Sequence, residues 1–105
     1  IKFMKVYIQS INFNASTDLL FFIKKKVALL EKFHDKIVDA EVFLKVENSS
    51  DKENKIAEIK INIPGKELVV KKQFKSFEEA ISTGVESLKR RLKKSKEKSR
   101  DSIPL

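Results

Sequence analysis

Residues 40–74 read AEVFLKVENSSDKENKIAEIKINIPGKELVVKKQF. At their start Ala40, Val42, Leu44 and Val46 alternate with Glu41, Phe43, Lys45 and Glu47. Alternation with period two is the mark of a strand with one buried and one wet face, and it predicts a strand over 40–47. The run Asn48-Ser49-Ser50-Asp51-Lys52-Glu53-Asn54 has the polar composition of an exposed hairpin loop. Beyond it Ala57, Ile59, Ile61 and Ile63 alternate with Glu58, Lys60 and Asn62, predicting a second strand over 56–63. Pro64-Gly65 marks a turn, and a further strand over about 67–74 points Leu68 and Val70 inward. Three linked strands form the body of a sheet, and the flanking segments decide what covers it.

On the N-terminal side, Met4, Val6 and Ile8 share one face of a predicted strand over 4–9, with Lys5, Tyr7 and Gln9 on the other. After Asn12-Phe13-Asn14-Ala15, Ser16 is placed to cap a helix with Asp18 in its first turn. Leu19, Phe22, Ile23, Val27, Leu30 and Phe33 then recur at helical spacing, predicting a helix over 17–33 that ends at His34-Asp35-Lys36. On the C-terminal side Ser76-Phe77-Glu78-Glu79 matches a capping box. The helix it opens carries an apolar stripe of Phe77, Ala80, Ile81, Val85, Leu88 and Leu92, with Arg90, Lys93 and Lys94 projecting opposite. Gly84 falls on that stripe, where a missing side chain permits close packing. The order β-α-β-β-β-α defines an α+β fold: one four-stranded sheet with both helices packed on a single face.

A chain of 105 residues that is 41% hydrophobic and 36% charged supports one domain and one core. We place that domain at residues 4–98, with 1–3 as a remnant or alternative start ahead of Met4 and 99–105 as a short C-terminal tail. The absence of Cys excludes disulfides, thiolate metal sites and thiol nucleophiles, and fits a reducing cytoplasm. No stretch approaches the ~18 apolar residues of a membrane span, and the start lacks a signal-peptide pattern. Asn48-Ser49-Ser50 matches a glycosylation acceptor, which has no meaning without secretion.

Chemistry finds few candidates. The single histidine, His34, sits at a helix end without a partner motif, and the two glycines, Gly65 and Gly84, make no phosphate loop. Glu78 and Glu79 read as helix-dipole carboxylates and not as an acid/base pair. The chain is therefore read as non-enzymatic, without cofactor, metal or small-molecule substrate.

Charge is more informative. Of 23 Lys+Arg and 15 Asp+Glu, eight basic groups and only Glu97 among the acids fall in residues 89–100, leaving 15 basic and 14 acidic groups elsewhere. Nearly all of the formal +8 therefore lies in one dozen residues. A localised positive field holds phosphates, and guanidinium groups at Arg90 and Arg91 grip them in a bidentate way. The candidate RNA-binding residues are Lys24, Lys25, Lys26, Lys89, Arg90, Arg91, Lys93, Lys94, Lys96 and Lys98. Lys26 projects near the apolar stripe and must snorkel out at the helix–helix seam. Phe21 points away from the stripe beside lysines, either to stack on a base or to pack at a domain edge. Acidic lipid is a weaker partner, because no Trp or exposed Leu accompanies the free end of the second helix.

Taken together, LEKF (30–33), VFLKVE (42–47), IPG (63–65), FEEAI (77–81) and LKRRLKKSKEK (88–98) resemble the ribosome hibernation promoting factors, a family that includes ribosome-associated inhibitor A. The resemblance spans residues 4–98. It implies a fold similar to a double-stranded RNA-binding domain with an added first strand. It further implies a cytoplasmic hibernation factor of stressed or stationary-phase cells, monomeric off the ribosome, which binds small-subunit ribosomal RNA and occludes the tRNA and mRNA path. Position by position it implies RNA contacts at Lys26, Arg90, Lys94, Lys96 and Lys98, while Leu20 and Ser87 stand where the family often has Arg and Lys. The short hibernation-promoting type, or a truncated long form, fits the distance from Lys98 to Leu105. The alternative is a general module for double-stranded or structured RNA without ribosome specificity.

Overall fold

A computed structural model describes residues 4–47 and 52–101, with side chains through residue 94. The segment 1–3, the Asn48-Ser49-Ser50 motif and residues 102–105 of the tail lie outside the described residues. In chain order the elements are β1 (Lys5–Ile11), α1 (Thr17–Ala28), β2 (Asp39–Val46), β3 (Lys55–Ile63), β4 (Lys66–Phe74) and α2 (Phe77–Asp101), with a 3-10 turn at Leu29–Phe33. Both helices start where a serine hydroxyl satisfies a free backbone donor. Ser16 Oγ accepts the Leu19 N–H at 3.1 Å, and Ser76 Oγ accepts that of Glu79 at 3.2 Å.

The strands lie in the order β1-β2-β3-β4. β1 runs parallel to β2, which requires the crossover that α1 provides, and the remaining pairs are antiparallel. Val6 and Ile61 flank Ala40, and Ile8 and Ile59 flank Val42. Val70 and Leu68 on β4 stand opposite Ile59 and Ile61. A slip of one residue would turn all these side chains to water, so burial of one face fixes the register. At the β3–β4 turn Pro64 presets its own φ and Gly65 takes φ +76°, the pairing a type II turn requires.

Both helices pack on that one face. Ile23, Val27 and Leu30 meet Ala80, Ile81, Leu88 and Leu92 over Val42, Leu44, Ile59 and Ile61, all fully buried. The expected stripe of α2 is buried in its entirety, and the core face ends at Leu92 while the helix runs on to Asp101. Phe13, in the loop after β1, stacks parallel on Phe77 with ring centroids 5.1 Å apart and closes the end of the core beneath α2. Asn12 takes φ +62° just before it, a conformation that Asn tolerates better than most residues.

Three expectations need correction. The helix foreseen over 17–33 is α-helical only to Ala28 and tightens into a 3-10 turn, with the Leu29 N–H shared between the Lys26 and Val27 carbonyls. At three residues per turn Leu30 and Phe33 fall on one side, which sends Leu30 into the core and Phe33 under α2. Val46 is 38% exposed, because it lies at the end of β2 beyond the helices' cover. The first strand extends to Ile11, two residues past the alternation at 4–9, because β2 offers pairing as far as Lys45.

The open face of the sheet carries charges of both signs. Lys60 Nζ lies 3.3 Å from Glu67 and 3.5 Å from Glu41, its neighbours on either side. The hydrogen bond to Glu67, then the charges of Glu67 and Glu41, raise its pKa above the ordinary 10.5. A lysine whose folded pKa is raised contributes stability that is full below the unfolded value and lost as pH climbs through the folded one. We expect Lys60→Met to lower stability slightly at pH 8, with the deficit against the parent shrinking as pH climbs past the ordinary lysine value and through the raised folded one, as read by urea titration at each pH. A second prediction concerns Gly84. A Cβ there would lie 2.9 Å from Ile59 Cδ1 and 3.4 Å from Val70 Cγ2. Gly84→Val should therefore cost about 2 kcal/mol in chemical denaturation through overpacking against the sheet.

Candidate nucleic-acid interface

Because the sheet uses one face, α1 and α2 pack against each other in one layer, and the 3-10 turn after α1 packs against α2 along the same seam. Lys24 and Lys25 are exposed on the outer side of α1. Lys26 is half-buried, with its Nζ 5.8 Å from the centroid of Phe22, one turn back on the same helix.

Phe33 organises the facing side. Lys89 Nζ and Lys93 Nζ each lie 5.1 Å from its ring centroid. The negative π-face offsets part of the repulsion between two ammonium groups one helical turn apart. Lys93 thus belongs to the seam and does not project opposite the apolar stripe, as its helical position suggested. Arg90 and Lys94 are exposed. Arg91 bends back, its Nη1 donating to the Val69 carbonyl at 2.7 Å on the outer edge of β4. That bond ties α2 to the sheet and orients the guanidinium. Lys96 and Lys98 lie on the last turns of α2, and their side chains are outside the described residues.

Sequence reasoning missed two of these features: Phe33 as the floor beneath Lys89 and Lys93, and the Arg91–Val69 tie. The one legible signal was spacing, since Lys89 and Lys93 each follow a stripe residue, Leu88 and Leu92, and so border the core face. Among the described residues the ion pairs join Lys60 to Glu41 and Glu67, and none engages a basic group of α1 or α2. The described basic side chains of α1 and α2 thus stay un-neutralised by any ion pair among the described residues.

Away from these basic residues, an open cavity of about 370 Å³ is lined by Met4, Glu31, His34, Asp35, Lys36, Ile37, Val38 and Pro64. Two of its polar side chains bond the backbone: Glu31 accepts the Met4 N–H, and His34 Nδ1 accepts the Lys36 N–H at 3.1 Å. Among the described residues no group of three or more His, Asp or Glu is placed to hold a metal ion, and no helix is long and apolar enough to cross a membrane.

Comparison with known proteins agrees with this geometry. The family model described as sigma 54 modulation protein / S30EA ribosomal protein matches residues 6–100. A ribosome hibernation promoting factor of Pseudomonas putida is 33% identical over 95 residues, which span 90% of this chain and 89% of that protein. The N-terminal domain of Protein Y from Thermus thermophilus shares the fold, with a TM-score of 0.73 at 22% identity over 89% of this chain and 98% of that one. A ribosomal subunit interface protein from Coxiella burnetii does likewise, with a TM-score of 0.74 at 18% identity over the same shares. With all of the sheet but Lys5 and all of the two helices but Asp101 inside the matched span, the chain belongs to the sigma 54 modulation protein / S30EA ribosomal protein family.

Proposed function

We propose that this chain is a ribosome-binding inhibitor of translation, a hibernation factor that lays the basic surfaces of α1 and α2 on small-subunit ribosomal RNA. Its bulk then occupies the tRNA and mRNA path, and translation stops by occlusion without chemistry. The observation that carries the reading is the charge of residues 89–100, eight basic groups against one acid, on a helix that outruns its own core. The relative from Pseudomonas putida, a ribosome hibernation promoting factor by name, supports the ribosome as the partner.

Within this reading the ten basic residues divide by task. Arg90 and Lys94, exposed on α2, meet phosphates directly, and Lys24 and Lys25 do so from α1. Lys26, Lys89 and Lys93 hold ammonium groups over aromatic rings along the seam. Lys96 and Lys98 extend the positive helix toward its end. Arg91 reaches phosphate from a guanidinium already oriented by Val69.

The test is co-sedimentation with small ribosomal subunits in the presence of excess unrelated duplex RNA. The parent chain should stay bound despite the competitor. The double variant Arg90→Glu, Lys94→Glu should lose binding while keeping its melting temperature, because neither side chain is buried. Binding of the parent should also weaken steeply with salt, by about 0.7 to 0.9 in the log–log slope for each phosphate neutralised. Unchanged sedimentation of the double variant would count against these residues, and displacement by duplex RNA would reduce the chain to a general RNA-binding module.

A further inference from the structure

Phe21 is 69% exposed, the most exposed large apolar side chain among the described residues. It stands outside the core cluster and shares no ring contact with Phe13, Phe22, Phe33 or Phe77. Among the described residues it joins neither the core nor a ring contact. Helical spacing places Lys24 and Lys25 three and four positions on, and both are exposed, so one turn of α1 presents a bare ring beside two ammonium groups. Asp18 lies one turn toward the helix start, so the positive field is strongest on the C-terminal side of the ring.

The composition of this patch selects its ligand. Apolar patches that dock proteins cover hundreds of Å². Here the next exposed large apolar side chain along the chain is Leu29, at 39%, with Lys24 and Lys25 intervening. A flat hydrophobic ring edged by cations instead matches a nucleotide, which pairs an aromatic base with an anionic phosphate. Bases inside a duplex are already stacked and out of reach, so the base must come from a loop, bulge or single strand. We propose that Phe21 is a stacking platform for an unpaired RNA base whose flanking phosphates are held by Lys24 and Lys25. This rests on the ribosomal reading above and deepens it, because it makes α1 a reader of unpaired RNA where α2 grips phosphate.

The test compares Phe21→Ala, Phe21→Leu, Phe21→Tyr and Phe21→Trp for binding to purified small subunits, with thermal melting as a control on folding. Stacking predicts that Tyr and Trp bind within about twofold of the parent, while Ala and Leu weaken binding about tenfold. The sequence contains no Trp, so the Phe21→Trp variant carries a single reporter, and its emission should be quenched on binding. A Leu variant that binds as tightly as the parent overturns the proposal, as does an unquenched or blue-shifted Trp on bound subunits, which would mark an apolar protein pocket. If the parent itself fails to bind subunits, the ribosomal reading falls separately. The same variants titrated with a hairpin RNA bearing an unpaired loop then decide stacking by the same contrast between Leu and Tyr.

Discussion

The sheet buries one face only, and the rest of the molecule follows from that constraint. Two amphipathic helices must share a single layer, so each has a core side, a seam side and a solvent side. The core side is strictly apolar, with no buried polar or charged side chain among the described residues. Lysines excluded from it collect along the seam and the outer surface. The open face of the sheet differs, because there Lys60 stands between Glu41 and Glu67 and charges cancel locally. The polarity of the whole protein, balanced on the sheet and positive on the helices, is thus a consequence of how its strands alternate.

Holding many cations in one layer costs energy that the fold offsets with aromatic faces and a backbone carbonyl instead of carboxylates. Lys26 lies over Phe22, Lys89 and Lys93 lie over Phe33, and Arg91 donates to the Val69 carbonyl. An ion pair would neutralise the charge, whereas a ring or a carbonyl only eases its repulsion. The ammonium and guanidinium groups are positioned yet still positive. This is the electrostatic state suited to a polyanion, since each phosphate contact then releases counterions without first breaking an internal salt bridge.

How much of this was legible in the sequence depends on the range of the interaction. Strict alternation in 57–63 and the serine caps at Ser16 and Ser76 are local signals, and each marked its element. Gly84 on an apolar stripe pointed to a close approach, and Ile59 is what it approaches. The α2 stripe ended where the core ends, at Leu92. The misread features all depend on partners remote in the chain. The 3-10 tightening after Ala28 serves to place Phe33 under α2, more than fifty residues away. Val46 alternates correctly but outruns the helices that would cover it, and no local pattern records where a distant helix stops. The Arg91 tie joins a basic run to a strand edge, which composition cannot foresee.

The end of α2 brings the two themes together. Past Leu92 the helix has no apolar side chain to bury through residue 100, and an isolated stretch of that length and charge is a poor helix in water. It is sustained by continuity with a packed helix that has already met the cost of nucleation. Like charges along it oppose that order, and phosphates drawn to it relieve the opposition. Binding to a polyanion and helical order of this segment are therefore linked: whatever neutralises the charge also stabilises the helix, by the mass-action term of any ligand that prefers the ordered state. The segment has no apolar side chain to add to the core, so its charge is not constrained by packing.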